Sequence, residues 1–501
     1  MKQRLAALKA SPQFAAPISA ATYTVIVVRI DFSDQVMAKT QTQADAFMTS
    51  VRNFHLENSY GLISASATTT GIGAGGQGAF RMPHTLAYYA NGLSSKYDEL
   101  ARDAMAVATT AGVNFSSPIN YNHVMIYHAG NGSETGSGSQ ITGNIWSAYN
   151  PTTLTVGSKT FPGETFVPES EFLSVDPLGV ICHEYGHQIG AIDLYNTQTG
   201  VTVVGSWSLM DAGVYLGSPL GSNPAHMDAW HKLFLGYSAP ETFSSAAETA
   251  KTLSQAEKTR GAFLRLPIAV SSVGSDNEYF LLEYRRNSAS NGVNYDQNLA
   301  GSGLMIWHID DSIATNATRI ANNNVNNGTP NLGVDLVEAD GTNPSASNPA
   351  DAKDPWPGTL TTFQSPQSRA FNGSESGITV SDVSLAGSSS ISMKLNSTIT
   401  PVPASDTVAV GGGADGYTNP AKGELARITL RPSASGTISL KIYSLNGDVV
   451  YETSVQGTAG ASLTPTWDAK NKDGRVVSSG IYLLRVEGGG IDSKKKIAIV
   501  K

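Results

Sequence analysis

The segment Cys182–Tyr195 reads CHEYGHQIGAIDLY. Residues four apart on an α-helix share a face, so His183 and His187 project together and both imidazoles can hold one Zn²⁺, with Glu184 beside them. A metal held there polarises a carbonyl and lowers the pKa of water, and Glu184 is placed to take the proton. Such chemistry needs a third protein ligand and an open fourth position. A helix is expected between Val175 and Asp193, with Asp176 and Pro177 at its start and Gly190 at its end. Three residues past Gly190, Asp193 can swing back as the third ligand, which completes the pattern HExxHxxGxxD. With 9 histidines and 41 acidic residues in 501, a chance HExxH arises in about one of 76 such chains. Adding Gly190 and Asp193 lowers that to roughly one in several thousand.

Working outward, Gly205–Gly213 reads GSWSLMDAG. Met210 there fits a turn that lays an apolar floor beneath the histidines. Upstream, Tyr23–Phe32 (YTVIVVRIDF) reads as a buried strand, Gln41–Leu56 and Lys96–Thr110 as helices, and Asn122–His128 as a second strand. Ile145-Trp146 reads as the start of another strand. Downstream of about Ala250 helical periodicity disappears, and strands such as Glu278–Arg285 and Gly303–Asp310 alternate with Asn-, Ser- and Gly-rich turns. Pro401–Ala404 (PVPA) reads as a linker. The last part carries strands at Thr437–Tyr443 and Gly480–Val486 with turns at Asn446-Gly447 and Asp473-Gly474, the pattern of a separate small β-sandwich.

Composition narrows the function classes. Lys plus Arg total 33 against 41 Asp plus Glu, a net charge of −8 with 15% charged residues, which argues against nucleic-acid binding. No run approaches the roughly 18 apolar residues of a transmembrane segment. Gly (50) and Pro (23) point to a loop- and β-rich protein. One cysteine, Cys182, excludes an internal disulfide, and its place in the helix suits a small buried side chain. The stretch Met1–Ala21 has basic Lys2 and Arg4 but lacks the apolar core of a signal peptide.

HEYGHQIGAIDLY followed by GSWSLMDAG resembles the immune inhibitor A family of secreted bacterial metalloproteases, within the metzincin-like zinc peptidases. VRIDFSD at Val28, ENSYG at Glu57, VMIYHAG at Val124, NPAHMDAWHKLFLGY at Asn223, EYFLLEYR at Glu278, GSGLMIWHID at Gly301 and DPWPG at Asp354 agree with it, so the resemblance spans about residues 20–395. It implies His183, His187 and Asp193 as ligands of one catalytic zinc, Glu184 as catalytic base, Met210 as the Met-turn, endopeptidase activity, secretion, and structural calcium. NPAKGELARI at Asn419, KIYSLNGDVVYE at Lys441 and TWDAKNKDGRVVSSGIYLLRV at Thr466 resemble the immunoglobulin-like module of flagellar hook-capping proteins and of C-terminal sorting domains, implying export or anchoring.

The expectation is therefore an α+β multidomain protein: an N-terminal extension (1–22), a metzincin-like catalytic domain (23–245), a β-rich domain (246–400) and an immunoglobulin-like β-sandwich (401–501). Its function is that of a bacterial zinc endopeptidase, secreted or at the cell surface, acting on proteins or peptides and touching the secretion machinery or cell surface through its last domain. The rivals are a surface-associated binding protein with a non-catalytic metal site and a zinc hydrolase of non-peptide amides or esters. Structural zinc sites use four protein ligands, whereas three are evident here beside Glu184, which favours catalysis. Tyr195 or Tyr215 is a candidate to steady the oxyanion. Acidic loops around Asp296, Asp335–Asp340 and Asp351–Asp354 are candidate Ca²⁺ ligands. His123 and His128, on opposite faces of a strand, are read as structural, as are His226 and His231 in a helix packed through Trp230 and Leu233, and His308. Lys494–Lys496 reads as a solvated strand face.

Overall fold

The computed structural model describes residues 20–91, 95–245, 247–268, 277–287, 293–328, 331–385, 389–397, 407–411, 417–422, 424–432, 434–457 and 463–501. The stretch 1–19 of the expected extension and the 401–404 linker lie outside the described residues. The chain forms two compact units, Met1–Ile399 and Thr400–Lys501, with mixed α and β structure in the first and sheets dominating the second.

The expected strand at Tyr23–Phe32 is β1 (Ala21–Asp31), whose residues from Val25 onward are buried as a continuous apolar run demands. It lies within a six-stranded sheet. β1 pairs in parallel with β2 (Ile63–Thr69) and with β3 (His123–Asn131), and β3 pairs in parallel with β5 (Glu164–Ser170). The antiparallel edge is β4 (Ala148–Asn150), so Ile145 and Trp146 precede the strand they were expected to begin. Helix α1 (Gln41–Asn58) starts in a capping box between Thr40 and Gln43, and α2 (Tyr97–Thr110) buries Leu100, Ala101, Ala104 and Met105 against the same core.

The HExxH segment forms α3 (Leu178–Ile189). Two glycines set its place. Gly179 approaches Val214 so closely that a Cβ would stand 1.9 Å from the Val214 carbonyl oxygen. Gly190 ends the helix at φ 112°, a left-handed conformation that glycine adopts without penalty. A short helix α4 (Ala229–Phe234) follows, capped by Asp228.

A five-stranded, mainly antiparallel sheet contains β6 (Phe263–Pro267), β7 (Glu278–Arg285), β8 (Gly303–Asp310) and β9 (Val334–Leu336). Its central strands are buried on both faces. Tyr279, Leu281, Met305 and Trp307 join the core that holds α3, whereas Phe280, Leu282, Leu304 and Ile306 join a second core with a three-stranded sheet. Helical structure does not vanish here: Asp311–Ala314 and Ala317–Ala321 are short helices, each started by an Asp or Asn side-chain cap.

In the second unit, a three-stranded and a four-stranded antiparallel sheet share a core of Ile428, Leu430, Leu440, Trp467 and Leu484. The turns at Asn446-Gly447 and Asp473-Gly474 carry Gly447 and Gly474 at positive φ.

Candidate active site

Helix α3 brings His183 and His187 to one face, their rings 4.8 Å apart and nearly perpendicular. The chain reverses at Gly190, where Ala191 N–H closes on Gly186 O and Gly190 N–H on His187 O, and Asp193 arrives opposite the histidines. Asp193 Oδ1 lies 3.1 Å from His183 Nε2 and 3.2 Å from His187 Nε2. Each Nδ1 faces a main-chain carbonyl, Leu209 O at 2.9 Å and Ala191 O at 3.0 Å. A carbonyl only accepts, so each Nδ1 carries a ring proton and each Nε2 is the nitrogen turned to Asp193, where it can hold a proton or a metal. Asp193 Oδ1 is buried. Two ring nitrogens and a carboxylate oxygen converge on one point, and once the nitrogens give up their protons they suit a divalent zinc ion.

The electrostatics say the same. Burial alone lowers the His183 imidazolium, but the Asp193 carboxylate outweighs it and raises it to about 9. His187 rises for the same reason, and Asp193 falls well below the usual carboxylate range, the two histidines outweighing its burial. The trio attracts positive charge, as a proton or as a metal. Glu184 is only 9% exposed and its carboxyl is pushed up, first by burial, which suits a base working near neutrality.

The GSWSLMDAG turn supplies the support expected of it. Leu209 O orients His183, Met210 O takes Leu194 N–H at 2.9 Å, and the Met210 sulfur lies under Gly186. Tyr195 is half-buried near Asp193 and Glu184, its hydroxyl pushed up first by burial, then by their charges and by a hydrogen bond with Asp193. Tyr215 is 37% exposed, and the charges of Glu134, Glu171 and Glu184 all act on it.

The other singled-out residues lie elsewhere. His123 stacks on Tyr23 and bonds Tyr185 Oη at 3.0 Å, and His128 is fully buried. His226 pairs with Glu57, His231 with Asp228 and His308 with Glu278. Trp230 and Leu233 are buried in the α3 core, and Cys182 is buried. Asp296 is no calcium ligand: fully buried, it makes a two-point ion pair with Arg285 at 2.7 Å. Asp340, Asp351 and Asp354 do come together, with Asp354 also accepting from Trp207 Nε1 at 2.8 Å. Sequence reading missed Asn323, which contacts Asp193, and Glu134 and Glu171, where burial and the neighbouring Glu134 push the Glu171 carboxyl up to about 9. Nothing in their local spacing signals them.

Residues 110–240 match the catalytic domain of the immune inhibitor A peptidase M6 family, and residues 416–500 match a secretion system C-terminal sorting domain. A pre-pro-metalloprotease, PrtV, of Vibrio cholerae is 35% identical over 134 residues, 24% of this chain and 15% of that protein. Immune inhibitor A of Bacillus thuringiensis is 28% identical over 169 residues, 27% of this chain and 24% of its own length. The matches thus span less than a quarter of either relative's length. Among solved structures, OgpA of Akkermansia muciniphila aligns over 97% of this chain and 95% of its own at 7% identity, with a TM-score of 0.28, too low to transfer a fold. The sorting domain marks a secreted or cell-surface protein, and among the described residues no helix is long and apolar enough to cross a membrane.

Proposed function

We propose that the protein, whose residues 110–240 match the catalytic domain of the immune inhibitor A peptidase family, is a bacterial zinc endopeptidase that hydrolyses protein substrates outside the cell. The observation that carries this reading is the convergence of His183 Nε2 and His187 Nε2 on the buried Asp193 Oδ1, at 3.1 and 3.2 Å. His183, His187 and Asp193 would hold the ion. Zinc, when bound, polarises the scissile carbonyl and makes water more acidic. Glu184 takes the proton from the attacking water on its carboxylate and passes it to the leaving amine. Its raised pKa supports both halves of that task. Tyr195 and Tyr215 are the hydroxyls available to the carbonyl oxygen as charge develops on it.

The same reading takes residues 23–245 as a metzincin-like catalytic domain, 246–400 as a β-rich domain and 401–501 as an immunoglobulin-like module that meets the secretion machinery. A structural calcium at Asp340, Asp351 and Asp354 is its finest detail, supported by three converging carboxylates. The test is zinc content by mass spectrometry together with casein hydrolysis, with and without a zinc chelator and beside Glu184→Ala. One zinc per chain and activity abolished by both treatments is expected. Zinc without hydrolysis of casein or peptides points to latency or to the non-peptide hydrolase, and absence of both returns the surface-binding protein.

A further inference from the structure

Asp193 lies in a loop past the end of α3, where the Tyr195 hydroxyl of its own segment hydrogen-bonds its carboxylate. A second hold, on its backbone as well as its carboxylate, comes from 130 residues away. Asn323 Oδ1 accepts the Asp193 main-chain N–H at 2.8 Å, while Asn323 Nδ2 donates to Asp193 Oδ2. One side-chain amide thus grips both the backbone and the carboxylate of one residue, and it occupies Oδ2 so that Oδ1 is the oxygen turned to the two histidines.

The grip is part of a seam. Asn326 Nδ2 donates to Leu194 O at 2.8 Å, Asn327 Oδ1 accepts Thr197 N–H at 2.8 Å, and Asn327 Nδ2 donates to Thr197 Oγ1 at 2.7 Å. Asn326 is itself tied to β9, taking the N–H groups of Gly333 and Val334 and giving to Val334 O. Asn323 holds a left-handed backbone at φ 51°, a conformation that asparagine tolerates better than most residues. The clamp is therefore anchored on a buried sheet and costs some backbone strain to present.

Resting on the zinc reading above, we infer that Asn323 is a positioning residue of the third metal ligand, the one that fixes its backbone and carboxylate together. The metal site is then completed by a segment outside the matched residues 110–240. Groups that orient a ligand typically contribute 10- to 100-fold in metal affinity.

The test compares full-length Asn323→Gly, which keeps the left-handed backbone unstrained, with Asn327→Ala, which cuts the same seam without touching Asp193. Zinc affinity is measured by chelator competition, ligand geometry by the visible spectrum of the cobalt-substituted protein, and folding by thermal melts. Asn323→Gly is expected to bind zinc about 10- to 100-fold more weakly with an altered cobalt spectrum, while Asn327→Ala lowers the melting temperature with zinc affinity unchanged. Equal zinc affinity in wild type and Asn323→Gly, or equal losses in both variants, overturns the assignment. A folded wild type that binds no zinc overturns the metal reading itself, and this inference with it.

Discussion

Two histidine clusters lie side by side in this protein and differ in what they leave undone. At His231, Nδ1 donates to Asp228 Oδ2 at 2.6 Å and Nε2 accepts Ile192 N–H at 3.2 Å. Asp228 also accepts from the Ser208 hydroxyl and the His231 main chain. At His226, Nε2 meets Glu57 at 2.9 Å and Nδ1 faces the Lys232 ammonium at 3.1 Å. Every ring nitrogen in that cluster has a partner. His183 and His187 are slightly more exposed and also face a carboxylate, but each gives its Nδ1 proton to a carbonyl and both Nε2 atoms turn to the single oxygen Asp193 Oδ1. A buried His–carboxylate contact is thus no sign of a metal site; two ring nitrogens converging on one carboxylate oxygen are. The finished cluster also mounts the unfinished one, since His231 holds the amide next to Asp193.

The largest effects should separate these clusters. Asp193→Ala or His187→Ala is expected to abolish zinc content and hydrolysis together, whereas His231→Ala keeps its zinc and loses stability instead. Zinc loss in His231→Ala equal to that in His187→Ala would erase the distinction. Glu184→Gln should retain full zinc and lower kcat by about 10²- to 10⁴-fold, the usual contribution of a positioned base. An unchanged kcat would remove Glu184 from the mechanism.

Next in size is a pure stability effect. Asp228 accepts three buried hydrogen bonds and caps α4, so Asp228→Ala should cost about 2–4 kcal/mol in denaturant unfolding. Its zinc stoichiometry is expected to stay at that of the wild type, read by mass spectrometry on the folded fraction.

The clusters should also part in their response to pH. In the metal-free protein His183 is raised to about 9, with burial opposed and outweighed by Asp193, while unfolded histidine titrates near 6.5. The His183–Asp193 contact therefore stabilises the metal-free fold fully below about pH 6.5, and that stabilisation is lost as pH rises through about 9. Zinc must displace the same proton. Thermal melts should accordingly show the stabilisation by added zinc growing from pH 6.5 to 9. His226 is shifted the other way, first by burial, and adds no titration in that window. A zinc effect independent of pH would mean the trio is not protonated when empty.

How legible all this was in the chain depends on sequence distance. His183, Glu184, His187, Gly190 and Asp193 fall within eleven residues, and helical spacing plus one glycine dictates their convergence. β1 and the Glu278–Arg285 and Gly303–Asp310 strands were legible because continuous burial leaves a continuous apolar run. Asn323 was not, because ANNNVNN reads as solvated turn and its partner is 130 residues away. Asp296 looked like a loose acidic group although its partner Arg285 is only 11 residues earlier, because nothing in the local spacing shows that the strand's arginine is buried against it. The two short helices after Asp310 stayed hidden because each is about one turn, too brief to show a period.

The smallest effect expected is from removing the second unit. Its core of Ile428, Leu430, Leu440, Trp467 and Leu484 is its own, and the zinc trio, Glu184 and the asparagine clamp all lie in the first unit. Domains with separate cores fold independently. A chain truncated at Ile399 should therefore keep one zinc and a kcat/KM within about twofold of the full-length value, in a casein or peptide assay, because no group that touches the reaction is lost. What it should lose is delivery outside the cell, measured by fractionating the producing bacterium. A truncated chain that folds and binds zinc but cleaves nothing would assign the sorting domain a part in the chemistry, and would show that the boundary between the units is not the boundary of the function.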